Sequence, residues 1–375
     1  MDKYFGKDIP KLGFGLMRLP MLNGKVDIEK VKIMADMFLE KGFKYFDTAY
    51  GYINGNSELA VKEVLADRYP RESYILATKL PAWAGAKKKE EAQNMFYTSL
   101  ERTGTGYFDF YLLHNLGEAR TEFFDKFGIW EFLQEKKKEG LIRHLGFSFH
   151  DKAAVLDKIL TEHPEMEFVQ LQINYADWDN PMIESKLCYE TARKHGKSII
   201  IMEPVKGGLL ASPPPQVESI FKAADINATL PSWAIRFAAS LDGIITVLSG
   251  MSDIDQMEDN LSFMKNFVPL SEKEYEVIRK AQDMLKTIPS IPCTGCTYCM
   301  KGCPKSVAIP GIIKSVNMIK VYNNETAAKN SYMWNTKGNR LNGASACIAC
   351  RECEKVCPQH IKITEELKKA SKIFE

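Results

Sequence analysis

Eight of the nine cysteines of this 375-residue chain lie in its C-terminal quarter, and their spacing repeats. The first group reads Cys-x2-Cys-x2-Cys-x3-Cys-Pro from Cys293 to Pro304, and the second has the same pattern from Cys347 to Pro358. Three thiolates in one tight loop can hold three corners of a cubane, and the fourth corner then needs a ligand from elsewhere. In a reducing cytosol such clustering indicates metal or redox chemistry rather than disulfides.

Both groups are similar to the cysteine run of bacterial two-cluster ferredoxins, in which the fourth cysteine of each run binds the other cluster. The resemblance implies two [4Fe–4S] clusters. One cluster would be bound by Cys293, Cys296, Cys299 and Cys357, and the other by Cys303, Cys347, Cys350 and Cys353. Structural zinc is the alternative, although it explains neither the third cysteine nor the proline of each group. Isoleucines at helical spacing between the groups make the segment similar to α-helical ferredoxin modules.

Four polar side chains at or just after the ends of apolar runs form a second set with chemical potential: Asp47, Tyr52, Lys79 and His114. The Asp-Thr-Ala-x-x-Tyr segment, the lysine of the third run and the histidine of the fourth resemble the aldo/keto reductase superfamily over roughly residues 8–270. The resemblance implies that these four residues are the catalytic tetrad. It also implies an NAD(P)-dependent oxidoreductase that interconverts small aldehydes or ketones and alcohols.

The residue types fit that chemistry. Carbonyl reduction needs a hydride at carbon and a proton at oxygen, but an unperturbed tyrosine titrates near 10 and is a poor acid at neutral pH. A Lys79 ammonium held by Asp47 is expected to lower the pKa of Tyr52. His114 would orient the carbonyl oxygen or share the proton.

The family resemblance also implies contacts to the nicotinamide ring. Ser148 and Gln172 would hold its carboxamide, with Gln170 as the alternative on the same strand face. Phe149 stands where the family usually has an asparagine, and Met202 stands where an aromatic residue commonly stacks on the ring. A thioether can also pack against a ring.

Further cofactor contacts are expected after the seventh and eighth strands. They are Gly207, Gly208, Leu209, Gly250, Ser252, Gln256, Asp259 and Asn260. The paired glycines would let the backbone approach the pyrophosphate, unless they form a simple turn. NADP-binding relatives place lysine and arginine after the eighth strand, whereas this chain has acidic side chains there, so we expect a weak preference for NAD(H) over NADP(H).

The elements that must position these residues follow from hydrophobic periodicity. Strand-like runs alternate with amphipathic helical stretches and cover residues 12–17, 44–49, 74–80, 108–114, 144–149, 168–175, 198–205 and 243–250. This pattern predicts an α/β chain with a (β/α)8 TIM barrel over residues 1–270, with a doubly wound sheet as the alternative. A small, mainly helical ferredoxin-like domain should follow over residues 271–375. Barrel active sites lie at the carboxyl ends of the strands, where the four polar residues would meet.

The composition excludes several function classes. Hydrophobic residues make up 45% of the chain, charged residues 26%, and the formal net charge is +2. These values are ordinary for a globular protein and predict no general attraction to nucleic acid or to a membrane surface. No run of about 18 apolar residues and no signal-peptide pattern is present, so we expect a cytoplasmic protein.

Three functions remain open at this level. The clusters could be structural or redox-sensing in a nicotinamide-dependent carbonyl reductase, or they could exchange electrons with ferredoxin or another redox protein. A hydride carries two electrons and a cubane normally accepts one, so a flavin would be the expected converter. The Gly-x-Gly-x-x-Gly fingerprint is absent, although barrels do not use it. A non-enzymatic sensor is the third possibility, and the complete tetrad argues against it.

Overall fold

Eight parallel strands close into a barrel in the computed structural model, which describes residues 3–375. Met1 and Asp2, part of the expected barrel range, lie outside the described residues. The strands are β1 (Leu12–Gly15), β2 (Tyr45–Asp47), β3 (Ile75–Leu80), β4 (Phe108–Leu116), β5 (Ile142–Phe149), β6 (Phe168–Gln172), β7 (Ser198–Met202) and β8 (Ile244–Ser249). Each strand pairs with the next, and β8 pairs with β1. The predicted (β/α)8 barrel is confirmed.

The chain forms two units. The first comprises residues 1–179, 183–205 and 231–271, and the second comprises residues 180–182, 206–230 and 272–375. The helices of the first unit are α1 (Ile28–Glu40), α2 (Asn56–Val61), α3 (Lys89–Thr103), α4 (Thr121–Lys126), α5 (Ile129–Lys138), α6 (Ala153–Glu162), α7 (Ser185–Lys194), α9 (Leu230–Ala239) and α10 (Ile254–Met264). Two short antiparallel ribbons, Lys3–Tyr4 with Lys7–Asp8 and Met21–Leu22 with Lys25–Val26, complete this unit.

The barrel interior is a layer of large apolar side chains. Phe110 of β4 lies 5.3 Å from Tyr45 and 5.1 Å from Phe168, measured between ring centroids. All three rings are fully or almost fully buried. A Cβ atom added to Gly146 would approach the Phe168 carbonyl oxygen to 2.3 Å, so β5 and β6 require glycine there. This packed layer supports the polar residues at the strand ends.

The second unit is helical. Its helices are α8 (Pro215–Ala224), α11 (Glu272–Thr287), α12 (Tyr298–Lys301), α13 (Ile309–Tyr322), α14 (Glu325–Asn335), α15 (Glu352–Lys355) and α16 (Ile363–Phe374). Helices α13 and α14 occupy the segment between the two cysteine groups, so the predicted helical spacer is confirmed. None of the helices in the described part of the chain is both long and apolar enough to cross a membrane.

Candidate active site and cluster sites

Every second side chain of a strand faces the barrel interior. Along these interior faces, the residues change from apolar to polar towards the ends of the strands. In β2, Tyr45 is followed on the same face by Asp47, and in β4 Leu112 is followed by His114. Lys79 stands near the end of β3 in the same way. Because successive side chains of a strand alternate between faces, residues two positions beyond a core residue point into the barrel mouth.

A buried ion pair lies at the centre of this polar layer. The Lys79 ammonium donates hydrogen bonds to an oxygen of the Asp47 carboxylate and, over 2.7 Å, to the carbonyl oxygen of Thr48. The other Asp47 oxygen accepts from the Gln170 amide at 3.1 Å. Lys79 is 0% exposed and Asp47 is 3% exposed. Burial lowers the pKa of Lys79, but Asp47 and Tyr52 together outweigh it, so the pKa lies above its ordinary value and the amine stays an ammonium.

Tyr52 and His114 lie beside this pair. The Lys79 ammonium is 4.8 Å from the centroid of the Tyr52 ring, and the Tyr52 and His114 rings meet edge to face at 5.8 Å. All four predicted tetrad residues are therefore brought together.

Burial raises the pKa of Tyr52 above its ordinary value, although Lys79 acts to lower it. The expected lowering of this pKa is wrong, because desolvation of the phenol outweighs the effect of one ammonium. Burial, followed by the Lys79 charge, holds the pKa of His114 well below its usual range, so its imidazole is neutral.

A second buried carboxylate fixes the loop that carries Tyr52. Glu58 is 0% exposed and accepts hydrogen bonds from the Thr78 hydroxyl at 2.7 Å and the Arg102 guanidinium at 3.3 Å. Arg102 also donates to the Tyr50 carbonyl oxygen at 3.0 Å. This network could not be predicted from the sequence, because nothing in the residue pattern of α2 marks Glu58 as buried.

The residues expected to hold the nicotinamide lie on neighbouring strands. Gln172 and Met202 are register partners at the ends of β6 and β7. The Gln172 amide lies 3.5 Å from a carboxylate oxygen of Asp177, and the Ser148 hydroxyl accepts from the Asn115 backbone N–H at 2.8 Å. The side-chain oxygen of Asn115 is buried and has no hydrogen-bond partner among residues 3–375. Asn115 was not singled out by the sequence, and its positive φ of 60° is the structural sign of an unusual position.

The glycine-rich segment expected at the pyrophosphate belongs to the second unit. Gly207 and Gly208 have φ values of 67° and 98°, in the region that favours glycine. Leu209 is buried.

The segment after β8 is held by its own hydrogen bonds. The Ser252 backbone N–H donates to the Gln256 side chain at 2.9 Å, and the Gln256 backbone N–H donates to the Asp253 carboxylate at 2.8 Å. Asp253 thereby caps the N-terminus of α10, where a negative charge is favourable. The buried Asn260 amide donates to the Ser249 hydroxyl at 2.7 Å. The other two expected contacts, Gly250 and Asp259, lie directly after β8 and on α10.

Two cavities of the second unit each have four cysteines in their walls. The first is lined by Cys293, Cys296, Cys299 and Cys357, and the second by Cys303, Cys347, Cys350 and Cys353. Each set combines three cysteines of one group with the fourth cysteine of the other. Among the described residues no three His, Cys, Asp or Glu side chains converge as closely as a single metal ion needs. Four thiols spaced around a cavity fit the corners of a cubane.

Apolar side chains in the cavity walls shield the cysteine thiols from water. Ile309 lines both cavities, and Ile313, Ile361 and Ile363 line the first. Burial raises the pKa of the Cys299 thiol to about 12, and neighbouring cysteines add to this effect. Iron binding must therefore displace a proton from the Cys299 thiol.

The barrel and the four converging side chains define an oxidoreductase of the α/β-barrel type. A profile of the aldo/keto reductase family matches residues 11–283, and a profile described as a 4Fe-4S dicluster domain matches residues 292–361. The chain therefore belongs to the aldo/keto reductase family and carries a C-terminal 4Fe–4S dicluster domain.

Individual relatives align with the barrel part of the chain. The uncharacterized oxidoreductase YqkF of Bacillus subtilis is 25% identical over 313 residues, which cover 74% of this chain and 95% of the relative. An NADH-specific methylglyoxal reductase of Escherichia coli is 24% identical over 329 residues, covering 74% and 96%. The structure of an aldo-keto reductase from Bacillus halodurans in its holo form is similar with a TM-score of 0.59 and 26% identity, covering 74% and 93%.

Proposed function

We propose that the chain interconverts aldehydes or ketones and alcohols with a nicotinamide cofactor, and that Asp47, Tyr52, Lys79 and His114 are its catalytic residues. The observation that carries the proposal is the buried Lys79 ammonium, hydrogen-bonded to Asp47 and 4.8 Å from the Tyr52 ring. Burying a charge is costly unless it is paired. A reaction that depends on this ammonium would explain why the site retains a fully buried lysine.

Each side chain has a distinct part in the proton transfer. A nicotinamide held by Ser148 and Gln172 would supply hydride to the carbonyl carbon. The Tyr52 phenol then donates its proton to the carbonyl oxygen, and the Lys79 ammonium stabilises the tyrosinate that is left. Asp47 holds Lys79 in place through its carboxylate. The neutral imidazole of His114 orients the carbonyl oxygen by a hydrogen bond.

The test is a panel of aldehydes and ketones assayed without oxygen with NADH and with NADPH. Tyr52→Phe should lower kcat by about 100-fold or more, because general acid catalysis contributes that much. Tyr97→Phe, which removes an exposed phenol from α3, is the matched control and should keep wild-type turnover. Unchanged turnover in Tyr52→Phe would overturn the proposal and favour the sensor interpretation.

We further propose a preference for NAD(H). Its support is the Asp253 carboxylate, which already caps the N-terminus of α10 and would repel a 2′-phosphate nearby. Comparison of kcat/KM for the two cofactors is the test, and a hundredfold preference for NADPH would reject this part of the proposal.

We propose that the eight C-terminal cysteines bind two [4Fe–4S] clusters in the sets that line the two cavities. When bound, each cluster takes up and releases single electrons. Iron analysis after oxygen-free purification should give about eight irons per chain. In electron paramagnetic resonance, Cys357→Ala should leave the same remaining cluster as Cys293→Ala, whereas Cys353→Ala should leave the other one. Cys188→Ala, which belongs to neither set, is the control, and variants that group by sequence run would refute the crossed ligation.

Electron exchange with ferredoxin or another redox protein is a second candidate function. Cys350 of the second set is exposed, so a cluster held there would lie near the surface. We expect such a cluster to be reduced by a one-electron donor protein. Reduction by NADH without added flavin would support an electron-transfer role, and clusters that no physiological carrier reduces would speak for a structural role.

A further inference from the structure

Arg120, directly before α4, carries a partly buried guanidinium that forms no ion pair with any of residues 3–375. Its Cζ atom lies 4.8 Å from the centroid of the Trp83 ring. Within residues 3–375 its side chain forms no ion pair and no hydrogen bond. The Asp151 charge acts on it, but the two Asp151 oxygens accept from the backbone N–H groups of Glu118 and Lys152, each at 2.8 Å. An arginine stays charged even when burial opposes it.

Trp83 connects this cation to the catalytic residues. The Trp83 indole N–H donates to the His114 carbonyl oxygen at 2.7 Å, and the two rings lie 6.2 Å apart. His114 in turn meets Tyr52 at 5.8 Å. The Arg120 charge is one of the groups that lower the pKa of His114, which agrees with its position beside the site. One indole ring thus separates the guanidinium from the imidazole that faces the reacting carbonyl group.

We propose that Arg120 binds an oxyanion group of the substrate, so that the preferred substrates are aldehydes or ketones with a carboxylate or phosphate. The planar fork of a guanidinium matches both groups with paired, charge-assisted hydrogen bonds. Such a ligand supplies the partner that the cation lacks within the chain. The Trp83 face holds the guanidinium in place by a cation–π contact and gives the body of the substrate an apolar wall. The inference rests on the carbonyl chemistry proposed above.

The experiment compares three benzaldehydes that differ only in the para substituent. They are 4-carboxybenzaldehyde, 4-formylphenyl phosphate and the neutral 4-methylbenzaldehyde. We expect kcat/KM of the intact protein to be higher for at least one charged aldehyde than for the neutral one. Arg120→Gln should reduce that ratio by about 10- to 100-fold, as expected for loss of a charge-assisted pair. Arg120→Lys should restore part of it, since the charge returns without the fork. The charged aldehyde that is preferred identifies the oxyanion.

Arg68→Gln is the matched control, because Arg68 already pairs with Asp36 at 2.8 Å, and its ratio should stay at the wild-type value. Calorimetric titration with 4-methylbenzoate, 4-methylphenyl phosphate and 4-methylbenzamide provides a readout that does not depend on turnover. Tighter binding of an anion than of the amide, lost in Arg120→Gln, supports the inference even if no aldehyde is reduced. Equal ratios and equal binding in wild type and Arg120→Gln would overturn it, while the turnover of the neutral aldehyde reports separately on the proposed function.

Discussion

Removing one partner of the Lys79–Asp47 pair should strongly lower the free energy of unfolding of the barrel, in addition to any effect on activity. In Asp47→Asn the ammonium stays buried without its charged partner, and neutral acceptors such as the Thr48 carbonyl oxygen at 2.7 Å remain. Breaking a buried ion pair from one side costs about 3–5 kcal/mol, because an uncompensated charge is left behind. For a domain of this size that loss lowers the Tm by about 6–20 °C.

The assay is thermal unfolding followed by circular dichroism under anaerobic conditions, with three variants. Asp47→Asn and Lys79→Met should each be strongly destabilised, whereas the double variant Asp47→Asn/Lys79→Met should lose about 2 kcal/mol less than their sum, since neither charge is then stranded. Glu29→Gln is the control: the Glu29–Lys32 pair has a similar N···O distance of 2.8 Å, but the Glu29 side chain is 81% exposed. Exposed pairs contribute about 0–1 kcal/mol.

Two outcomes would refute this reasoning. Additive losses in the double variant would mean that the two charges do not depend on each other. A loss in Asp47→Asn as small as that in Glu29→Gln would mean that water reaches Lys79, contrary to its lack of exposure.

Three further predictions concern pH and positioning. The raised pKa of Tyr52 and the lowered pKa of His114 predict that kcat/KM for carbonyl reduction stays level through neutral pH, without an inflection near 6.5, and falls only as the pH rises above 10; an inflection near 6.5 in a pH–rate profile would contradict this. Burial acts to raise the pKa of Glu167, but hydrogen bonds from its neighbours lower it from 4.5 to about 2. The stabilisation that Glu167 contributes to the fold is therefore present above pH 4.5 and is lost as the pH falls towards 2. Glu167→Gln should therefore cost about 1–3 kcal/mol at neutral pH and little at pH 2, measured by denaturant unfolding. Glu58→Gln should lower kcat by about tenfold, because the Arg102 contact that fixes the Tyr52 loop is weakened; unchanged kcat would mean that the loop needs no such support.

The barrel could be predicted because its strands are covered on both faces. A strand such as 198–202, with Ile199, Ile200 and Ile201 all buried, appears in sequence as an unbroken apolar run. The meeting of Asp47, Tyr52, Lys79 and His114 could be predicted for a related reason, whereas their catalytic role stays a prediction that the family resemblance implies. These four residues stand at fixed positions relative to those runs, and parallel strands bring their carboxyl ends to one face of the barrel.

The role of Gln170 could not be predicted in the same way. Gln170 and Gln172 lie on the same face of β6, so periodicity treats them alike as contacts to the nicotinamide. Their depth in the barrel differs by two residues, and depth is set by the register of β6 with its neighbours. Gln170 pairs in register with Ser148 and reaches the Asp47 carboxylate at 3.1 Å, so it supports the ion pair. Gln172 stands at the strand end, nearer the mouth.

The direction of the Tyr52 pKa shift also could not be predicted from the sequence. The pKa is raised rather than lowered, and this changes the chemistry that the site supports. Sequence identifies the neighbouring Lys79 charge but not the loss of solvent around the phenol, which is the larger effect. With the pKa raised, Tyr52 holds its proton at neutral pH, and with its pKa lowered His114 is uncharged. Lys79 is then a cation 4.8 Å from the Tyr52 ring, and Asp47 balances its charge. A substrate oxygen that gains negative charge meets a proton donor backed by one ammonium, and the neutral imidazole does not compete for that charge. Burial therefore keeps Tyr52 protonated, whereas the Lys79 ammonium beside it would ease the loss of that proton in the proposed reduction.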